Sequence, residues 1–165
     1  GDQEDLRGEV FVGPAGAVLD RALAAAGLER GELYITNAVK HFKFSASGKR
    51  RLHKRPAESD VRACESWLLR EIEIVNPLVI VCLGATAARA VLGRPVTVGV
   101  ERGRPIALTT GAQVIVTNHP AAVLRAGAAS SAPGRAAAGD QLFAGMVADL
   151  ETAVACVAAA GATPA

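Results

Sequence analysis

Two short runs limit what this chain can fold into. "PLVIVCLG" (77–84) is a continuous apolar stretch of the kind found in the centre of a parallel sheet, buried on both faces. "QVIVTN" (113–118) is a second buried strand of the same character. Helical patterns surround both. "VFVGPAGAVLDRALAAAGL" (10–28) opens as a Gly/Pro turn and continues as a helix, with Val18, Leu19, Leu23 and Ala26 near helical spacing. A helix is expected over 57–75 after Pro56, with Glu58, Ser59 and Asp60 in its first turn and a face of Val61, Cys64, Leu68, Ile72 and Val75. "ATAARAVLG" gives a short helix, Pro120 starts a helical turn, and 138–160 is an Ala-rich amphipathic helix. "LYITNAV" (33–39) is expected as a further buried strand, "PVTVGV" and "RPIALTT" as a small β excursion, and "SSAPGR" (130–135) as a loop. Alternating strands and helices predict an α/β fold, a three-layer α/β/α sandwich with a mainly parallel central sheet. With 165 residues and no internal repeat, 1–160 is expected to form a single domain and 161–165 a disordered tail.

Charge is unevenly distributed. The net charge is +2, yet residues 40–55 hold seven of the eighteen Lys/Arg and none of the sixteen Asp/Glu, leaving the rest at −5. A cationic loop on an acidic body suggests a polyanion met at one place, with a nuclear-localisation run as the competing reading. At its centre, "GKRRLHKRP" (48–56) encloses His53 among five cations. The three cysteines, Cys64, Cys82 and Cys156, are too few and too widely spaced for a disulfide framework, which points to a reducing, cytoplasmic setting. No apolar run reaches the roughly 18 residues needed to cross a bilayer, and no signal-peptide pattern opens the chain.

Ligands of open α/β sheets bind beyond the carboxyl ends of the strands. There Phe11, Asn37 and His119 each sit at the close of an apolar run or turn. Singly, each has a plain reading: a core phenylalanine, a turn-capping asparagine, a helix-entry histidine.

Their joint context is more specific. "GDQEDLRGEVFVGPAGAVLDRAL", "YITNAVKHFKF", "CESWLLREIEIVNPLVIVCLGATAARAVLG" and "VTNHPAAVLR" resemble, in order, four motifs of the iron–sulfur (type 4) branch of the uracil-DNA glycosylase superfamily. "KRRLH" is similar to the loop of its UdgX-type members, which become covalently joined to the DNA they cleave. The resemblance implies that Phe11 stacks on a flipped uracil and that Asn37 reads the pyrimidine edge. It implies that His119 stabilises the departing base and that His53 attacks the sugar. Lys40 and Arg51 would support the loop or meet phosphate, and Asp2 and Gln3, in the first motif, would lie at the substrate. A [4Fe-4S] cluster is implied, with Cys64 as a ligand and Cys82 as candidate for another, while Cys156 is structural. The partner implied is uracil-containing DNA, single-stranded as well as double-stranded, bound by a monomer.

The chain also departs from that pattern. A strand and a "GE-x-PG" turn precede the first motif in that family; here only the tail of the turn remains, from Gly1, without its assisting carboxylate and without the N-terminal cysteine pair. Two cysteines cannot complete a four-cysteine cluster. Ala121 and Ala122 follow His-Pro where serines would offer hydroxyls to phosphate.

Physical chemistry gives the His53 reading content. A nucleophilic imidazole must be neutral, and neighbouring cations disfavour its protonated form. The same cations would hold phosphate and help offset the few kcal/mol that base flipping costs. Two other classes stay open: a turnover glycosylase in which His53 only orients water or DNA, and a non-catalytic DNA-binding module.

Overall fold

The computed structural model describes residues 2–41, 44–47, 50–53, 56–128 and 135–161. The central sheet holds β3 (Val79–Leu83), β4 (Pro105–Ala107) and β5 (Gln113–Thr117) in the order β3-β5-β4. β3 runs parallel to β5 in a register that ends on Leu83 opposite Thr117, and β4 is antiparallel to β5. The two expected core strands are therefore parallel neighbours, in a sheet that is mixed. Their shared end brings Gly84 and residues 118–119 to one rim.

Successive side chains of a strand point to opposite faces. On one face, Val81 and Leu83 pack with Val18, Leu19 and Leu23 of α2 (Pro14–Ala25), Val123 of α6 (Pro120–Ala128), and Met146 and Leu150 of α7 (Arg135–Gly161). On the other, Ile80, Cys82, Val114 and Val116 pack with Ala87, Ala88, Val91 and Leu92 of α4 (Ala85–Leu92). Helices thus cover both faces, as the α/β sandwich requires. α7 is long and apolar enough by composition to cross a membrane. Here it packs along the sheet, with Met146, Asp149, Leu150 and Ala153 buried.

α3 (Glu58–Val75) is held less closely. Asp60 Oδ2 accepts the Ala57 N–H at 2.6 Å at its start, and Asn76 ends it in the left-handed region before Pro77. Of its 18 residues only Cys64 and Leu68 are buried, so the expected stripe does not extend to Val75, which is exposed.

Several expectations change. The 33–39 run forms no strand: a 3-10 turn (Arg30–Glu32) leads into an extended segment. Leu33 and Ile35 lean on the α2 core, while Thr36 and Lys40 are tied by their side chains to Glu71 of α3. Those anchors replace a strand ladder. The first motif opens with a helix, α1 (Asp2–Arg7). "PVTVGV" enters α5 (Val98–Glu101), where Glu101 accepts the Thr97 N–H at 3.1 Å and pairs with Arg94 at 2.6 Å. The excursion keeps only β4. The basic loop contains a hairpin, β1 (Phe44–Ser47) with β2 (Arg50–His53), pairing Phe44 with His53. α7 runs through Gly161, whereas 130–134 and the tail 162–165 lie outside the described residues.

Candidate active site

Phe11 holds the left-handed backbone at φ 54°, costly for a residue with a Cβ. The turn persists because both ends are pinned. Glu4 Oε1 accepts the Gly13 N–H at 3.1 Å, and the first turn of α2 packs directly on the Phe11 carbonyl. A Cβ at Gly16 would fall 1.8 Å from that oxygen, so only glycine allows the approach. The Phe11 ring packs against the α2–α6–α7 core on one side. On the other it meets His119, with ring centroids 6.0 Å apart and planes tilted by 36°. Phe11 is thus a partly buried core residue whose ring also meets the exposed His119.

His119 follows β5 and is exposed. The Ala121 N–H donates to its Nδ1 at 3.1 Å. A nitrogen that accepts carries no proton, so the neutral ring is protonated on Nε2. Behind it stands Gly84 at φ 90°, whose N–H donates to the Thr117 carbonyl at 2.9 Å. A Cβ at Gly84 would sit 3.1 Å from the His119 Cβ. The small residues flanking the strand end therefore set how closely His119 seats.

Asn37 is exposed, on the segment fixed by Glu71. Thr36 Oγ1 donates to Glu71 Oε2 at 3.0 Å, and Lys40 Nζ reaches the same oxygen at 2.5 Å and Thr36 Oγ1 at 2.9 Å. The Lys40 side chain is thus tied to α3 through Glu71.

Cys64 lies beneath the same segment, fully buried. The Lys40 backbone N–H donates to its Sγ at 3.3 Å, and His41 Nδ1 lies 3.3 Å from it. Cys82 is in a different layer, among Ala88, Val114 and Val116, and burial pushes its thiol up to about 12. Those surroundings suit a small buried hydrophobe rather than a thiolate ligand. Among the described residues no three His, Cys, Asp or Glu side chains gather as a metal cage.

The structure therefore brings Phe11 to His119 and Cys64 to Lys40 and His41. Asp2 and Gln3 fall in α1, and Arg51 and His53 in β2; the side chains of all four lie outside those described.

Sequence comparison settles the family. A sequence model of the "Uracil DNA glycosylase superfamily" matches residues 1–151. The chain belongs to this superfamily. Within the uracil DNA glycosylase superfamily it is similar to the type-4 uracil-DNA glycosylase of Thermotoga maritima, 40% identical over 126 residues, covering 76% of this chain and 62% of that protein. The type-4 enzyme of Archaeoglobus fulgidus is 36% identical over 131 residues (75% and 62%). That of Pyrobaculum aerophilum is 36% identical over 132 residues (76% and 64%). The chain spans less than two-thirds of the length of each of these relatives.

Sequence reasoning missed His41, Thr36 and Glu71. A signal for Glu71 existed: it lies seven residues after Cys64 and three after Leu68, on the stripe α3 buries, and an acidic residue there calls for a partner.

Proposed function

We propose that this chain is the greater part of a uracil-DNA glycosylase that flips uracil out of DNA, cleaves its N-glycosidic bond and is captured by the sugar through His53. The observation that carries the proposal is the Phe11–His119 pair at the strand ends, with the histidine's tautomer set by Ala121. A flipped pyrimidine stacks on an aromatic ring. Asn37, on its anchored segment, offers an amide donor and acceptor to the uracil edge, and cytosine reverses one of those demands. His119 directs Nε2–H toward uracil O2, where negative charge grows as the base leaves.

The bond between the sugar's anomeric carbon and uracil N1 breaks, and its electron pair departs with the base. A neutral His53 ring nitrogen forms the new bond to that carbon. The resulting imidazolium then loses its ring proton and the uracil anion takes one up. The cations that flank His53 in sequence would hold phosphate, and such neighbours disfavour an imidazolium.

A [4Fe-4S] cluster belongs to the same proposal. Cys64 fits one corner: it is fully buried, its sulfur accepts the Lys40 amide N–H, and His41 Nδ1 lies 3.3 Å from it. Bound there, the cluster would brace the 36–41 segment and take no part in the cleavage. Cys82 is not assigned to it. Three unpaired thiols agree with a reducing, cytoplasmic compartment, and we take the protein to act as a monomer.

The similarity to type-4 uracil-DNA glycosylases favours a second reading in which water takes the place of His53. The full-length protein mixed with uracil-containing single-stranded or duplex DNA separates the readings on a denaturing gel. A covalent band supports capture, abasic product without a band supports turnover, and neither product leaves a DNA-binding module.

A further inference from the structure

The end of β5 is tied to α7 by a buried polar cluster that base recognition does not use. Asp149 is 3% exposed and Thr117 is fully buried. Asp149 Oδ2 accepts from Thr117 Oγ1 at 2.5 Å and lies 2.8 Å from Arg102 Nη2. Arg102 Nε and Nη2 are buried and in no hydrogen bond, so the contact with Asp149 is an ion pair without hydrogen-bond alignment. The backbone makes room for it. Gly103, at φ 71°, would bring a Cβ within 2.5 Å of Asp149 Oδ1, and a Cβ at Gly145 would meet Arg102 Nη2. The Gly103 N–H donates to the Val116 carbonyl at 3.0 Å, fastening the cluster to β5.

Stability is a weak explanation for such a cluster, because the Arg102 side chain is partly open to water and an ion pair of this kind adds little. Its position explains more. Thr117 precedes His119 by two residues, and its carbonyl accepts the N–H of Gly84, which seats His119. We propose that Asp149, paired with Arg102, is a positioning residue: it clamps Thr117 and so fixes where His119 stands against Phe11. The expected effect on excision rate rests on the glycosylase reading, whereas the placement of the ring does not.

The test uses the full-length protein labelled with 15N-histidine. Thr117→Val keeps the shape and removes the hydroxyl, Thr117→Ser keeps the hydroxyl, and Asp149→Asn is the second variant should the valine fail to fold. Thr117→Val and Asp149→Asn should displace the His119 ring signals and slow single-turnover uracil excision by about 10- to 100-fold, with DNA affinity unchanged. Thr117→Ser should restore both. Wild-type ring signals in Thr117→Val and Asp149→Asn would overturn the proposal and reduce the cluster to a stability device. A serine variant as impaired as the valine would overturn it too. A wild-type protein that excises no uracil would instead refute the glycosylase reading, and the ring signals would still decide the positioning role.

Discussion

Phe11 packs on the core cluster where α2, α6 and α7 cover one face of the sheet, and the exposed His119 meets its ring there. The segment from Thr36 to His41 rests on α3, which buries only Cys64 and Leu68. The first region is set by volume. Gly16 and Gly84 admit the backbone closely, and apolar side chains fill what is left. The second is set by a few directional contacts: Glu71 to Thr36 and Lys40, and Cys64 to the Lys40 amide and His41. Packed regions fail when a side chain changes size. Latched regions fail when one donor or acceptor is lost, and can open locally while the rest of the fold stands.

The largest expected effect falls on chemistry in the packed region. His119→Ala removes the Nε2–H donor and should slow excision by the full-length protein by about 100- to 1000-fold, measured under single turnover. Loss of under threefold would detach His119 from the leaving base. Gly16→Ala comes next. Its methyl would overlap the Phe11 carbonyl, and the fold should lose about 3 kcal/mol in urea titration. An unchanged midpoint would show that the turn is not volume-locked.

In the latched region the effect should be smaller and local. Glu71→Gln weakens the hold on Lys40 and Thr36 and should cost about 1–2 kcal/mol. Hydrogen exchange is the sharper readout: the Lys40 amide should exchange faster while β5 amides keep their protection. Uniform loosening of both would erase the distinction between the regions. Trp67, 67% exposed on the outer side of α3, sets the lower bound. Trp67→Ala should shift stability by less than about 0.5 kcal/mol.

The same contrast explains what could be foreseen from sequence. β3, β5, α2 and α4 were legible because their patterns are local: continuous apolar runs and helical spacing. Phe11 and His119 were legible as rim residues because strand ends carry ligand sites. The 33–39 run misled because its β-branched residues favour a strand, while Glu71, 35 positions beyond Thr36, decides otherwise. α5 was hidden for a similar reason, since Glu101 folds back on Thr97 in a run rich in valine. Nothing in the spelling of "VTNHPAA" discloses that Ala121 contributes through its amide and so sets the histidine's tautomer.

Capture of the sugar rests on His53. The measurement is a matched pair of gels on full-length wild type and His53→Ser with uracil-containing single-stranded DNA, one denaturing for the adduct and one after alkali for abasic sites. The wild type is predicted to give a covalent band, and His53→Ser to lose that band while alkali-labile sites appear. An adduct that persists in His53→Ser would contradict capture by this residue and leave the basic hairpin as a DNA clamp.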